Sequence, residues 1–333
     1  MTAAVLNKLL ALLAIAALGW VVGRAGWLGR ADKGVAAARA LSDAAFYIFV
    51  PALLFRTMVR LDFEALPWRT LAAYFVPAVL YLLAVYGWYR RRQAHSAAAP
   101  AAAAAPAAPA APATRAIAAS YGNGVQVGIP VAAALFGETG LALHVALVSL
   151  HGLVLLTLLT VLVELDLARA HRNATPLATL RTTLRNAFLH PVTLPVIAGL
   201  AWNRSGLGLH PVVDQTLASL GQAVVPLCLV LIGLTLAQYG LRGRWRPALS
   251  ASVLKLLVLP ALVLGVAHFV FGLAGLPLAV VVVMAALPTG TNALIFAQRY
   301  DTLQAEATAA IVVSTLAFAA TASVWLALLH LLA

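Results

Sequence analysis

Long apolar runs alternate with short polar connections along almost the whole chain. A helix needs an apolar stretch of about 20 residues to cross the hydrocarbon core of a bilayer. Such stretches predict ten spans, near 4–23, 36–59, 70–90, 116–136, 140–163, 187–203, 212–238, 248–271, 276–297 and 305–331. The run LLALLAIAALGWVVG (9–23) reads as the first span rather than a cleaved leader, because Lys8 is the only early charge and no small-residue cleavage site follows. Two stretches depart from the pattern. SAAAPAAAAAPAAPAAPAT (96–114) is low-complexity Ala/Pro and predicts an extended cytoplasmic linker with no function of its own. Residues 169–190 set Leu177, Leu180, Leu184 and Phe188 among arginines, the pattern of an amphipathic connection on the cytoplasmic face.

Ten helices divide into two sets of five, and an odd number per set places the sets in opposite orientation. The prolines follow that division. FVPALLF around Pro51 in span 2 pairs with VVPLCLV around Pro226 in span 7. YFVPAVL around Pro77 pairs with LVLPALVL around Pro260, and VGIPVAA around Pro130 with AALPTGT around Pro288. The expected fold is therefore an all-α membrane protein made of two inverted five-helix repeats. Helices 1–3 (1–95) and 4–5 (115–168) form the first repeat, and helices 6–10 (191–333) the second.

Spans 4 and 9 are interrupted. YGNGVQVGIP (121–130) holds three glycines and a proline at membrane depth, with Asn123 and Gln126 beside the break. In span 9, Thr289, Thr291 and Asn292 take the same place around Pro288. Matched interruptions in inverted halves point to a transport site. Irregular backbone survives in a bilayer only where protein or a water-filled cavity satisfies its N–H and C=O groups. The freed N-termini of half-helices carry partial positive charge and suit an anion. Read alone, each break could equally be a kink between packed helices, with its amides bonded to neighbouring backbone.

Composition narrows the class. The chain is 63% hydrophobic and 10% charged, far too apolar for an ordinary soluble domain of 333 residues. One cysteine, Cys228, excludes a disulfide framework and a cysteine metal cluster. The net charge of +12 would suit a nucleic-acid partner, but the positions of the cations give it another meaning. Sixteen of the 22 Lys and Arg fall in the connections on one side, five on the other, and Lys255 lies inside span 8. By the positive-inside rule this predicts a multi-pass protein of the cytoplasmic membrane with both termini outside. There is no Gly-x-Ser-x-Gly elbow, His-Glu-x-x-His, phosphate-binding Gly-rich loop or intramembrane carboxylate pair, so neither an enzyme nor a cofactor or metal site is expected.

Ionisable groups within spans are functional candidates. Lys255, five residues before Pro260, either faces a cavity and attracts a carboxylate or snorkels to the cytoplasmic interface; its place near that end favours snorkelling. Arg56, five residues after Pro51, is open to the same two readings at the outer end. His144 and His151 are seven apart, on one face of span 5. His144 reads as a bond to a neighbouring helix, and the deeper His151 as the better candidate for substrate or proton work. Asp43 suits a helix cap, Glu164 and Asp166 a solvated cytoplasmic end, and Gln222, four residues before Pro226, a buried polar contact.

At these positions the sequence resembles the auxin efflux carrier family, whose bacterial members include malonate transporter-like proteins. GNGVQVGIPVAAALFGETGL (122–141) is similar to the family's Asn-x(5)-Ile/Leu-Pro segment and the Phe-Gly-Glu turn after it; AALPTGTNALIFAQRY (285–300) resembles its second crossover, and ALSDAAFYIFVPALLF (40–55) its second helix. The resemblance implies a bile-acid-symporter-like fold with crossed helices 4 and 9. It further implies a scaffold of helices 1, 2, 6 and 7, and a transport domain of the other six that moves as an elevator and carries organic anions. Asn123, seven residues before Pro130, falls on the family's substrate-contacting amide, Pro288 on its counterpart, and His151 near a secondary polar site. Unlike the plant carriers, this chain has only residues 169–190 between its halves, and neither acid nor Lys in TLAAYFVPAVLYLLAVYGWY (70–89). The expected function is secondary transport of small organic anions, with a sodium-coupled symporter or a membrane sensor of the same ligand as alternatives. A homodimer through the scaffold is expected by analogy with other elevator carriers.

Overall fold

A computed structural model describes residues 3–29, 32–60, 68–97, 108–171, 193–239 and 245–332. The chain runs through α1 (Ala3–Ala25), α2 (Asp32–Ala44), α3 (Val50–Val59), α4 (Trp68–Ala97), α5 (Ala111–Ser120), α6 (Ile129–His151) and α7 (Thr157–His171). It continues through α8 (Thr193–Ser205), α9 (Pro211–Tyr239), α10 (Trp245–Val253), α11 (Leu259–Gly265), α12 (Gly275–Ala286), α13 (Asn292–Arg299) and α14 (Gln304–Leu331). Among the described residues the only β-type pairing is one isolated bridge, Gly122 with Thr289. Most of the 169–190 connection and the 98–107 part of the Ala/Pro stretch lie outside the described residues.

Among the described residues six helical stretches are long and apolar enough to cross a membrane: Lys33–Val59, Trp68–His95, Gly124–Val163, Pro211–Leu234, Trp245–Val270 and Gln304–Leu331. Two causes visible in the sequence shorten or merge spans 4, 5 and 9. Spans 4 and 5 run together as a 40-residue apolar stretch that turns at Gly137, whose φ of 65° is left-handed. Spans 4 and 9 are each divided, so that α12 is a 12-residue helix. The Ala/Pro stretch also ends earlier than its composition suggests. Ala111–Thr114 are helical and buried, because alanine is the strongest helix former and Pro112 stands in the first turn, where its missing N–H has no partner to lose.

Prolines elsewhere are absorbed locally. Pro51, Pro130 and Pro260 each follow a π-helical turn, at Ala45–Phe49, Gly124–Gly128 and Leu254–Val258. Such widening re-satisfies the backbone groups that a proline frees in a membrane helix. Pro77 and Pro226 lie inside α4 and α9.

The helices pack as two groups. In the first, α1 lies along α9, and α3 packs on α8 and α9. Gly19 and Gly233 let α1 and α9 approach so closely that a Cβ on either would collide with the facing backbone, at Val230 or Ala16. In the second group α4 packs on α5, α10 on α14, and α12 on α11, α6 and α14. From Val280 to Leu287 every residue of α12 and its end is buried. Helix α6 touches both groups, reaching α1, α3, α8 and α9 as well as α12.

Polar ties reinforce the second group. Arg115 donates from Nε and an Nη to the two carboxylate oxygens of Glu306, at 2.8 and 3.2 Å, joining α5 to α14. Asp166 accepts from the Tyr86 hydroxyl and pairs with Arg90 at 3.2 Å, joining α7 to α4. Its side chain is 10% exposed, which corrects the expectation that Asp166 is solvated: two donors on α4 replace water.

Candidate functional site

The interruptions in spans 4 and 9 have different local causes. Helix α5 ends at Ser120 ahead of Gly122 and Gly124, which favour coil. Helix α12 ends because Pro288 drives the residue before it out of helical geometry, and Leu287 adopts φ −58°, ψ 148°. The two breaks lie antiparallel against each other. The Asn123 N–H donates to the Pro288 carbonyl at 2.8 Å and the Gly290 N–H to the Tyr121 carbonyl at 2.9 Å. Gly290 permits this approach, since a Cβ there would stand 3.0 Å from both the Gly122 oxygen and the Tyr121 ring.

Side chains then close around the crossing. Asn123 Oδ1 accepts from the Gln126 N–H at 3.1 Å, and its Nδ2 donates to Gln126 Oε1 at 3.2 Å, so Asn123 caps the π-helical turn that leads into α6. Thr289 Oγ1 donates to the Ala118 carbonyl at 2.7 Å, and the Thr289 N–H donates to Ser314 Oγ at 3.0 Å. Asn292 Nδ2 donates to the Tyr121 hydroxyl at 2.9 Å. The Gly122 N–H donates to His151 Nε2 at 3.2 Å. Because Nε2 accepts, the neutral imidazole carries its proton on Nδ1, which faces the Tyr74 hydroxyl at 3.1 Å. His144 Nε2 donates to the Gly124 carbonyl at 2.9 Å, leaving its buried Nδ1 without a partner among the described residues.

Thus Asn123, Gln126, Pro288, Thr289, Asn292 and His151 all lie in one bonded cluster on the crossing. Thr291 contributes its carbonyl to the first turn of α13. Pro130 stands beyond the contact, buried in the first turn of α6, and Gln222 lies apart on α9. Lys255 corrects the snorkelling expectation. It is fully buried, and its ammonium donates to the Ala285 carbonyl at 2.6 Å. In an unbroken helix that carbonyl would accept from the Thr289 N–H; the break sends Thr289 to Ser314 and leaves the oxygen to the lysine. Tyr74, Tyr121 and Ser314 join the site through their hydroxyls without a candidate's place in the sequence pattern. Tyr121 begins the interrupted segment and could have been read with it, whereas Ser314 has no signal in an Ala-rich helix.

A cavity of about 850 Å³ lies between the two helix groups, lined by the turn of α6 after Gly137 and the start of α12 rather than by the bonded residues of the crossing. Arg56, Thr57 and Arg60 line it from α3 and its end, Gln222 from α9, Glu138 and Thr139 from α6, and Ile129 where α6 begins. Arg56 and Arg60 both bind Asp214, at 2.9 and 2.6 Å, so two guanidiniums share one carboxylate at the wall. Arg56 is therefore a cavity residue with a protein partner.

Apolar helices that cross a membrane several times, with two interrupted segments bonded backbone to backbone in their core, define the class as a multi-pass membrane protein built around a buried polar crossing. Comparison with known proteins is specific. The chain belongs to the membrane transport protein family, the auxin efflux carrier-like group, whose family model matches residues 4–326. It is also similar to an uncharacterized transporter of Methanothermobacter thermautotrophicus, 24% identical over 301 residues, covering 89% of this chain and 88% of the relative.

Proposed function

We propose that this transporter is a secondary carrier of small organic anions: carboxylates such as malonate or another dicarboxylate, or auxin-like acids. The observation that carries the reading is the backbone pairing of the two breaks, Asn123 with Pro288 and Tyr121 with Gly290. A crossing of this kind places half-helix ends and amides where an anion can be held without water.

In this reading the chain forms ten spans in two inverted repeats, with both termini outside the cytoplasmic membrane. The group around α1, α3, α8 and α9 is the scaffold, and the group holding the crossing moves against it as an elevator. The packing of α1 and α3 on α9 and the small core of Ala38, Ala45, Leu231 and Leu234 support that division, while α3 and α9 also reach the main core through Val50, Leu54, Met58, Val224 and Cys228. A membrane potential, inside negative, drives anion export by about 2.3 kcal/mol per charge per 100 mV.

The test is uptake of labelled malonate and a panel of carboxylates into proteoliposomes, with and without imposed potential, a Na⁺ gradient or a pH gradient. Saturable flux that follows potential is expected. Binding without flux for every probe would leave a sensor rather than a carrier.

A further inference from the structure

Among the described residues two charged side chains are buried, Glu306 and Lys255. Glu306 has Arg115 as its counter-ion. Lys255 is in none of the ion pairs among the described residues, and its ammonium meets a neutral carbonyl instead. An unpaired buried cation is costly, so its place needs a cause.

The surroundings provide one. Lys255 sits in the π-helical turn Leu254–Val258, and that turn is gripped on both flanks: the Leu254 carbonyl accepts from the Tyr81 hydroxyl and the Leu256 carbonyl from Trp325 Nε1, each at 2.8 Å. Held there, Nζ reaches Ala285 at the C-terminal end of α12, where unpaired carbonyls and the helix dipole concentrate negative potential. Nζ also lies 3.5 Å from the point where Gly122 would carry a Cβ, so it abuts the break after α5 as well as the one after α12. Freed carbonyls at half-helix C-termini are where carriers with broken helices bind a coupling Na⁺.

We propose that the Lys255 ammonium is a built-in cation: it fills the carbonyl site at the end of α12 that a transported Na⁺ would otherwise occupy, so the crossing assembles without external sodium. The site itself follows from the geometry; its consequence, a carrier that needs no Na⁺, rests on the transport reading. Lys255 is thus a positioning residue, setting the backbone of both breaks through one carbonyl.

The experiment is thermal unfolding of the purified full-length protein at matched ionic strength in NaCl, choline chloride or propylammonium chloride, for wild type, Lys255→Ala and Lys255→Met. Wild type is expected to melt at the same temperature in all three. Lys255→Ala should melt lower in choline and recover at least about 2 °C in propylammonium or Na⁺, a shift that corresponds to roughly 1 kcal/mol for a chain of this order. Lys255→Met, which fills the space without a charge, should gain nothing from either cation. Wild-type protein stabilised by Na⁺ over choline would overturn the proposal, and this arm stands even if both variants fail to fold. Lys255→Ala melting alike in all salts, or Lys255→Met melting like wild type, would overturn it too. The expected salt pattern without flux for any carboxylate would reject the carrier reading and leave the built-in cation standing.

Discussion

At the scale of single residues, the crossing asks side chains to do what helix geometry cannot. Asn123 illustrates this: it closes the backbone pairing with Pro288 through its N–H and caps the next turn through its carboxamide. Capping alone is shared by serine, whereas a ligand amide is not. Asn123→Ser should therefore melt within about 0.5 kcal/mol of wild type, since Asn and Ser rank alike as caps, yet lose most carboxylate flux. Retained flux would reduce Asn123 to a cap. His151 poses a second question of this kind. Its Nε2 satisfies the Gly122 N–H and its Nδ1 faces Tyr74, both buried. His151→Leu strands two polar groups and should cost about 2–6 kcal/mol, at 1–3 for each buried group left unpaired. Thermal melting in detergent would measure it.

At the scale of helices, two contacts hold the elements that matter. Arg115 on α5 and Glu306 on α14 form a two-bonded pair whose acidic partner is nearly buried. Removing one partner leaves the other stranded, so Arg115→Ala should destabilise by about 3 kcal/mol, the low end for breaking a buried pair. The double variant Arg115→Met, Glu306→Leu should recover much of that loss, because two apolar groups need no partner. A melting temperature for the double variant no higher than for Arg115→Ala would refute this account. The approach of α1 to α9 depends on small residues in the same way. Gly233→Leu should cost about 1–3 kcal/mol through overpacking, visible as earlier aggregation on heating.

At the scale of the whole molecule, the cavity between the helix groups and the orientation in the membrane decide what flux can mean. At the cavity wall Arg56 and Arg60 are balanced by two carboxylates, Glu138 in the lining and Asp214 in the ion pairs, and Asp214→Asn tips that balance toward positive. For an anionic substrate KM should fall at low salt and return toward wild type as salt screens the wall; a KM unchanged by both would dissociate the cavity from transport. Orientation is testable because Cys228, the only cysteine, is buried. Leu207→Cys, at an exposed position between α8 and α9, should react with a membrane-impermeant maleimide in intact cells. Protection until the membrane is opened would reverse the predicted topology.

What the sequence by itself determined is what neighbouring residues decide among themselves. Apolar runs set the membrane helices, and Gly122, Gly124 and Pro288 end α5 and α12 through their own backbone preferences, whatever packs around them. Asn123, Gln126, Thr289 and Asn292 were legible because they stand beside those breaks. Sequence alone points Lys255 toward the interface, since position along a helix is all a sequence offers. Its true acceptor exists only because Thr289 turns to Ser314 on another helix and leaves the Ala285 carbonyl open. Gln222 likewise joins a cavity with Arg56 only once α9 lies beside α3. Which buried polar group meets which partner was settled by tertiary structure alone, because in a medium without water each donor goes to whichever acceptor the packing of distant helices has left unpaired.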